Sequence, residues 1–311
     1  MLSVVIPAHN EGKIINTTMQ TVDEVLTQAG IDYEMIFIDD NSTDRTWEIV
    51  VEKSKEDKRI RGGSLSRHFG KEAAIRAGLA MSRGDCTLIM DCDMQMPPQC
   101  IPEMYRLWEQ GYEIIAGTKN SRGKERASYG LLSRIFYRIM SKALHIDMMK
   151  ASDFRLLDKK AVLVLRNIHE QNVFFRAISS WVGFKTIEVG FDVAERAEGK
   201  SKWTKWMLIK YAINNITSYT MTPLYIILFL GMIMFIVALV FGVEALISYF
   251  THQALSGFTT VILLQLFIGS ITMLSLGLIG YYLARVFDEV RGRPTFILRE
   301  TTDEKEEIIY D

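Results

Sequence analysis

Cysteine is scarce in this 311-residue chain, which has only Cys86, Cys92 and Cys100. An odd number of closely spaced cysteines does not form a framework of paired disulfides, and their spacing matches no zinc site. A reducing, cytosolic environment is the simple interpretation. The N-terminus lacks the basic region and long apolar core of a signal peptide, so we expect none. The net charge of −1 gives no basic excess, and we expect no nucleic-acid partner.

Charged residues are absent from two long apolar runs, Pro223–Val243 and Phe258–Ala284. At about 1.5 Å rise per residue, either run can cross a hydrocarbon core of ~30 Å as a helix. Lysine and arginine are missing from residues 244–257, between the runs, but occur beyond both outer ends. By the positive-inside rule, we predict a two-helix transmembrane hairpin with both flanks in the cytoplasm. The alternative is a pair of buried core helices.

Short β-rich runs alternate with amphipathic segments through residues 1–120. The predicted strands are Ser3–Pro7, Glu34–Asp39, Ile60–Ser66, Thr87–Asp91 and Glu113–Gly117. The predicted helices are Lys13–Ala29, Asp44–Lys55, Lys71–Met81 and Ile101–Gln110. This alternation predicts an α/β domain with a mostly parallel sheet that is covered by helices on both faces.

Polar clusters directly follow three of these strands: His9-Asn10-Glu11, Asp39-Asp40-Asn41-Ser42 and Asp91-Cys92-Asp93. Ligands of such sheets bind beyond the carboxyl ends of the strands, so we expect the clusters to converge on one crevice. In the third cluster, one carboxylate can hold a ribose hydroxyl while the other ligates a divalent cation. No Gly-x-Gly-x-x-Gly follows the first strand, which disfavours a dehydrogenase.

Two further segments have the pattern of helices in the membrane interface. Residues 128–145 combine an apolar stripe with basic residues at i, i+4 and i+8, which also fits an ordinary surface helix. Residues 201–219 place tryptophans among lysines just before the first apolar run, as is typical of that boundary. The acidic tail Thr301–Asp311 is expected to be mobile.

Three motifs occupy the predicted strand ends: Val4–Glu11, Ile38–Asp44 and Asp91–Gln95. Together they resemble the family 2 glycosyltransferases, whose fold is the Rossmann-like GT-A fold. Four more motifs narrow the resemblance: Ser66–Ala74, Ser152–Asp158, Arg196–Trp203 and Arg291–Pro294. These resemble the polyisoprenyl-phosphate glycosyltransferases, the branch of bacterial undecaprenyl-phosphate glucosyltransferases and dolichol-phosphate mannose synthases.

The resemblance implies roles for the matching residues. The residues implied to bind the nucleotide sugar are Pro7, Ala8, Asn10, Glu11, Asp39, Asp40, Lys71 and Asp91. Either Asp39 or Asp40 contacts the uracil or ribose in this interpretation. The resemblance also implies that Asp93 and Gln95 approach the diphosphate and a Mg²⁺ or Mn²⁺ ion. Such hard cations prefer few carboxylates together with phosphate oxygens and water.

Asp153 matches the position of the family's proposed catalytic carboxylate. A lipid phosphate monoester has a second pKa of about 6, so at neutral pH it is largely dianionic and needs little help from a base. Asp153 can therefore act as a base or position the acceptor, and both roles stay open. The alternative is a buried structural carboxylate that is paired with Arg155.

A dianionic acceptor must approach a donor diphosphate that is also negative, so basic side chains are needed beside the metal. The candidates for binding the acceptor and the diphosphate, including one hydroxyl donor, are Arg122, Arg126, Arg196, Lys200, Ser201 and Lys202. Some of them can instead contact anionic headgroups.

The predicted organisation has five segments. Residues 1–127 form the nucleotide-sugar-binding part of the GT-A domain and residues 128–200 its acceptor-side part. A juxtamembrane segment at 201–222 leads into two transmembrane helices within 223–285. Residues 286–311 form a cytoplasmic tail.

The expected reaction is the inverting transfer of a hexose from a nucleotide sugar to a membrane polyprenyl phosphate, for cell-envelope glycosylation. The resemblance to the bacterial glucosyl branch favours UDP-glucose, with UDP-N-acetylglucosamine, UDP-galactose and GDP-mannose as alternatives. A processive polysaccharide synthase is disfavoured because no Gln-x-x-Arg-Trp motif occurs and two spans make a poor channel. Intact Asp91, Asp93 and Asp153 disfavour a non-catalytic sugar-nucleotide sensor or scaffold.

The expected location is the inner (plasma) membrane, as a multi-pass protein with its catalytic domain and both termini in the cytoplasm. Small residues in the second run permit close helix approach: Gly269, Ser270, Gly277 and Gly280. With the resemblance, they lead us to expect a homo-oligomer, with a tetramer as the favoured state. Because two helices cannot conduct a sugar, we expect a separate flippase and a downstream glycosyltransferase.

Overall fold

The computed structural model describes residues 1–120, 141, 151–171, 174–192, 217, 222–251 and 257–303. The chain forms two compact units, one comprising Met1–Leu208 with Gly292–Asp311 and the other comprising Ile209–Arg291. The first unit contains a mixed β-sheet with its helices, and the second contains two long apolar helices.

The sheet of the first unit has eight described strands. They are β1 (Leu2–Ala8), β2 (Tyr33–Asp39), β3 (Ile60–Leu65), β4 (Cys86–Ile89), β5 (Ile114–Lys119), β6 (Ala151–Asp158), β7 (Thr186–Phe191) and β8 (Leu298–Thr301). The described helices of this unit are α1 (Ile15–Gln28), α2 (Thr46–Glu56), α3 (Lys71–Met81), α4 (Ile101–Glu109), α5 (Lys159–Arg166) and α6 (Phe175–Trp181).

The strand order is β7-β5-β6-β4-β1-β2-β3-β8. Strand β1 is parallel to β2 and β4, β2 is parallel to β3, and β5 is parallel to β7. Strand β6 is antiparallel to both of its neighbours, and β8 is antiparallel to β3. The expected mostly parallel α/β sheet is therefore confirmed, with β6 and β8 as the strands that reverse direction.

The strands β1 to β5 and helices α1 to α4 lie close to their predicted positions. Strand β4 ends at Ile89, so Asp91 follows the strand instead of ending it. Strands β6, β7 and β8 were not anticipated. Because Thr301 pairs with Gly63 in the sheet, the expectation of a mobile tail is wrong for residues 301–303, and residues 304–311 lie outside the described part.

Both faces of the sheet are buried under helices, and the core has two layers. One layer packs α1, α2 and α4 against alternate residues of β1 such as Val4 and Ile6. The other packs α3, α5 and α6 against the opposite face, which includes Val5. Burial on both faces explains the continuous apolar runs of β1 and β2.

Helix α3 lies close to β1 because Gly78 has no side chain at the contact. A Cβ atom at Gly78 would collide with the Val5 side chain. This close approach fixes the helix whose first residue, Lys71, lies at the carboxyl-end edge of the sheet.

The second unit contains α7 (Thr222–Phe250) and α8 (Phe258–Val290). Their apolar stretches Thr222–Glu244 and Leu264–Val290 have mean hydropathies of 3.1 and 1.7, and neither stretch is buried within the protein. Both helices are therefore long and apolar enough to cross a membrane. The predicted interfacial segments 128–145 and 201–219 lie outside the described residues, apart from the single positions 141 and 217.

Candidate active site

A cavity of about 240 Å³ opens at the carboxyl ends of β1, β2 and β4. Residues of all three strand-end clusters and of α3 line it: Pro7, Ala8, His9, Glu11, Asp40, His68, Lys71, Ala74, Asp91, Cys92 and Asp93. The expected convergence of the three clusters on one crevice is thus observed.

The loops around the cavity are fixed by hydrogen bonds between one strand end and the next. Asn10, just past β1, has a positive φ of 58°, and Asn41, just past β2, has a φ of 54°. Asn10 Oδ1 accepts the backbone N–H of Thr43 at 2.8 Å, and its own N–H donates to Ser42 Oγ at 2.9 Å. The Asn10 amide that was assigned to the nucleotide sugar is therefore engaged in holding the neighbouring loop.

The two consecutive carboxylates after β2 have different surroundings. Asp39 is buried and accepts Ser64 Oγ at 2.9 Å, away from the cavity lining. Asp40 lines the cavity and accepts the backbone N–H groups of Phe69 and Gly70 at 2.7 and 2.8 Å. Of the two alternatives for a nucleotide contact, the geometry favours Asp40.

Two histidines stack beside Asp40. The rings of His9 and His68 have centroids 4.4 Å apart. His68 Nδ1 lies 2.8 Å from Asp40 Oδ2, and His9 Nδ1 lies 2.8 Å from the Asp40 carbonyl oxygen. One ligand atom from each of the three residues lies within 4.8 Å of the others, so they are potential cation ligands distinct from the predicted Asp93 and Gln95.

The alternation of side chains after β4 sends two carboxylates into the cavity and one thiol into the core. Asp91 and Asp93 line the cavity, whereas the Cys92 side chain is 2 % exposed. Burial raises the pKa of the Cys92 thiol to about 12, so it packs as a small neutral side chain. Asp93 Oδ1 accepts the backbone N–H of Gln95 at 3.1 Å, while the Gln95 side chain is not among the lining residues.

A charge cluster of Lys71, Asp91, Asp153 and Arg176 lies at the edge of the cavity. Lys71 Nζ lies 2.6 Å from Asp91 Oδ1 and 2.5 Å from Asp153 Oδ2. Arg176 donates to both oxygens of Asp153, from Nε at 2.7 Å and from Nη2 at 2.9 Å. The cluster joins the predicted donor-side carboxylate to the predicted catalytic carboxylate.

The charges of this cluster shift the pKa values of its members. Burial alone would raise the pKa of Asp153, but the charges of Lys71 and Arg176 hold it far below its usual range. Burial alone would lower the pKa of Lys71, but Asp91 and Asp153 raise it. Burial and the nearby Asp153 charge raise the pKa of Glu72 to about 7. Asp153 is thus an anion at neutral pH, and Lys71 is a cation.

Arg155 does not form the ion pair with Asp153 that was the alternative explanation of this carboxylate. Its guanidinium Nη1 donates to Ser179 Oγ at 2.9 Å and to Ser180 Oγ at 2.7 Å. Burial lowers the pKa of Arg155 to about 10, which leaves it charged at neutral pH. The ion-pair partners of Asp153 are Lys71 and Arg176, so the pairing with Arg155 is wrong, while the choice between a structural and a catalytic role of this buried carboxylate stays open.

The remaining predicted site residues and Arg176 differ in what the structure says about them. The six predicted acceptor and diphosphate residues lie outside the described residues: Arg122, Arg126, Arg196, Lys200, Ser201 and Lys202. Arg176 was missed because no motif links it to Asp153 in sequence. A buried carboxylate requires countercharges, so a prediction that Asp153 is buried would have indicated a cationic partner such as Arg176. The roles of all these residues stay predictions.

Comparisons with known proteins agree with the resemblance seen in the sequence. The model of the family described as Glycosyl transferase family 2 matches residues 3–171. The uncharacterized glycosyltransferase YkcC of Bacillus subtilis is 34 % identical over 96 % of this chain and 93 % of its own length. A protein of Escherichia coli named prophage bactoprenol glucosyl transferase homolog is 30 % identical over 96 % of this chain and 98 % of its own.

Solved structures give a weaker likeness. Glucosyl-3-phosphoglycerate synthase from Mycobacterium tuberculosis is 16 % identical, with a TM-score of 0.49 over 70 % of this chain and 78 % of its own. The family assignment therefore rests on the sequence relatives. The family model covers more than half of the chain, and the relatives align along nearly all of it. The chain belongs to glycosyl transferase family 2 and is a glycosyltransferase.

Proposed function

We propose that this glycosyltransferase moves a hexose from a nucleotide sugar to a polyprenyl phosphate and inverts the anomeric configuration. The proposal rests on the observation that one chain combines two features. It has a strand-end cavity lined by Asp91, Asp93 and Lys71, and it has two helices able to cross a membrane. Relatives named bactoprenol glucosyl transferase align over 96 % of the chain, which supports a polyprenyl acceptor.

The donor side of the cavity fits a divalent cation. Asp93 presents carboxylate oxygen to the cavity, and Mg²⁺ and Mn²⁺ prefer such hard ligands together with phosphate oxygens. Asp93, with Gln95, would hold the ion, and Asp40 and Asp91 would contact the nucleoside. A bound cation would supply positive charge to the diphosphate that leaves.

The acceptor needs positioning more than activation. Its phosphate oxygen forms a bond to the anomeric carbon as the bond from that carbon to the nucleoside diphosphate breaks, and the diphosphate takes the electron pair. Because the phosphate is already largely dianionic at neutral pH, no side chain has to remove a proton. Binding of the acceptor and the diphosphate stays assigned to Arg122, Arg126, Arg196, Lys200 and Lys202, and Ser201 would add a hydroxyl hydrogen-bond donor.

The favoured donor is UDP-glucose, because several relatives are named for glucosyl transfer. UDP-N-acetylglucosamine, UDP-galactose and GDP-mannose are the alternative donors. These sugars differ at one or two substituents, so the comparison of donors has to be made by assay.

We place the reaction on the cytoplasmic leaflet. Residues 1–208 and 292–311, which precede and follow the two helices in sequence, belong to the same compact unit, and a chain that crosses a membrane twice returns to its starting side. The basic flanks favour the cytoplasm for that side. A homo-oligomer, a flippase for the product and a downstream glycosyltransferase complete the proposal.

The test is transfer by the purified full chain in liposomes that contain polyprenyl phosphate, with radiolabelled UDP- and GDP-sugars. We expect label in the lipid fraction from UDP-glucose, in the presence of Mg²⁺ or Mn²⁺ and not in EDTA. Asp93→Asn should lower transfer by orders of magnitude, whereas Asp85→Asn is a matched control, because this carboxylate is 62 % exposed at the opposite end of β4. Binding of UDP-sugars without transfer from any donor would favour the sensor instead.

A further inference from the structure

Asp153 is a buried anion whose charge is balanced by cations from two different helices. It is 3 % exposed on β6, with Lys71 reaching it from α3 and Arg176 from α6. A guanidinium that donates to both oxygens fixes the position and the plane of a carboxylate. Arg176 therefore determines where the Asp153 charge lies.

The strand register explains why Lys71 lies between two carboxylates. Strands β4 and β6 are antiparallel with Ile89 opposite Arg155 as the last pair, and Asp91 and Asp153 each lie two residues beyond that pair. Adjacent carboxylates repel each other unless a cation lies between them. The Lys71 ammonium takes that place, and it also lines the cavity.

A second contact fixes α6 against α3 without involving Asp153. Glu72 Oε2 accepts the backbone N–H of Phe175 at 2.9 Å. Glu72 follows Lys71 in sequence, and Phe175 precedes Arg176. Lys71 and Arg176, which pair with Asp153, are therefore the sequence neighbours of Glu72 and Phe175, which join the two helices.

We propose that Arg176 is a positioning residue for sugar transfer, which acts through Asp153 on the Lys71 ammonium. In this arrangement Asp153 is a fixed anion and not a base. An ammonium has three N–H donors, and Asp91 and Asp153 take two from Lys71. The third is available to a phosphate oxygen in the cavity, from the nucleotide sugar or from the lipid phosphate. This inference rests on the proposed function, which supplies both phosphates.

The test compares Arg176→Gln, Arg176→Lys, Asp153→Asn and the Asp153→Asn/Arg176→Gln double variant of the full chain in liposomes. Arg166→Gln is the matched control, because this arginine is exposed at the end of α5. Arg176→Gln should lower kcat by about 10- to 100-fold, as expected for the loss of hydrogen bonds to a charged partner. Arg176→Lys should recover part of the loss, because it restores the charge without the two-bond contact.

The double variant tests whether Arg176 acts through Asp153. If it does, the double variant is no slower than Asp153→Asn alone, because the partner of Arg176 is already lost. Losses that multiply would overturn the inference, as would a wild-type kcat in Arg176→Gln. The apparent KM values for UDP-sugar and for polyprenyl phosphate in Lys71→Gln then tell which phosphate the ammonium contacts.

The pKa of Asp153 is a direct readout of its contact with Arg176. The charged and titratable groups around Asp153 are Lys71 and Glu72 from α3, Arg176 from α6, Arg155 from β6 and Asp91 beyond β4. Removing Arg176 removes one of the two cations in contact with the carboxylate, so the pKa of Asp153 should rise. The Asp153 carboxyl should then begin to protonate at a higher pH in Arg176→Gln than in Arg166→Gln, whereas the acid limb of the kcat profile also contains protonation of the lipid phosphate near pH 6.

Failure of this inference can be told apart from failure of the proposed function. A wild-type protein that makes no lipid-linked sugar contradicts the proposed function. The inference is then decided by ¹³C-carboxyl spectroscopy of Asp153, assigned by its loss in Asp153→Asn. We expect the Asp153 carboxyl to begin to protonate at a higher pH in Arg176→Gln than in the wild type, and an unchanged titration would overturn the inference.

Discussion

Carboxylates around the cavity do two different jobs. Asp39 accepts the backbone N–H of Ser42 in its own loop and Ser64 Oγ from strand β3, and Asp44 accepts the backbone N–H of Thr46. Asp91 and Asp93 instead face the cavity. Asp39 and Asp44 thus hold the loop after β2, whereas Asp91 and Asp93 can contact a ligand in the cavity directly.

At the residue scale, Glu72 should make the stability of the fold depend on pH. Burial and the Asp153 charge raise its pKa from 4.5 to about 7. A carboxyl group with a raised pKa stabilises the fold when protonated, and this contribution is lost as the pH rises through the folded-state value. Glu72→Gln keeps the neutral form at every pH and can still accept the Phe175 N–H. Between pH 5 and 8, the wild type should therefore lose about 1 kcal/mol of unfolding free energy relative to the variant.

Urea unfolding at the two pH values measures this difference. Glu48→Gln, on the surface of α2, serves as the control and should keep the pH dependence of the wild type. An identical pH dependence in Glu72→Gln and the wild type would contradict the assignment of the raised pKa to Glu72.

At the scale of elements, apolar patterning predicted β1 to β5 and α1 to α4, and the buried charges near the starts of β2 and β3, Glu34 and Arg61, did not obscure it. Strand β6 was not predicted, because its Asp153 and Arg155 are buried charges that a sequence pattern reads as exposed. Their partners Arg176 and Ser179 lie on α6, and only the folded chain brings them together. Strand β8 has four residues at the sheet edge, of which only Leu298 is apolar, so no apolar pattern marks it.

Residues 296 and 297, which follow α8, should contribute unequally to the stability of the sheet unit. Phe296 is 2 % exposed and packs in the core layer of α3, whereas its neighbour Ile297 is 36 % exposed. Phe296→Ala should lower the unfolding free energy of the sheet unit by about 3 kcal/mol, as expected for a truncated core aromatic. Ile297→Ala should cost less than about 1 kcal/mol. Denaturant unfolding followed by tryptophan fluorescence can compare them, and equal costs would show that the segment is not part of the core.

At the scale of the whole molecule, the chain leaves the sheet unit before α7 and re-enters it after α8. Strand β8 follows α8 in sequence and pairs with β3, so the chain returns to the sheet unit after its second long helix. Composition alone predicted the two apolar helices. It could not predict that the chain then re-enters the sheet, because such pairing depends on residues more than 200 positions apart, such as Gly63 and Thr301.

Cysteine labelling tests the resulting membrane topology. Gly257→Cys, between α7 and α8, should react with a membrane-impermeant maleimide in intact cells if the hairpin turn faces outward, as we propose. Lys58→Cys, on the exposed surface of the sheet unit, should react only after permeabilisation. Cys86 and Cys92 are buried, and the partly buried Cys100 belongs to the same unit as Lys58, so it should add no label in intact cells. Labelling of Lys58→Cys in intact cells would contradict the cytoplasmic assignment.

Mass spectrometry of the reaction products tests the central claim most directly. Full-length protein in liposomes is incubated with polyprenyl phosphate, UDP-glucose and Mn²⁺, and both the lipid and the free nucleotide are identified. We predict a lipid that gains one hexose and no additional phosphate, with one UDP released for each lipid formed. A lipid that gains a sugar phosphate with release of UMP would contradict the proposed reaction, as would an unchanged lipid with every nucleotide sugar tested.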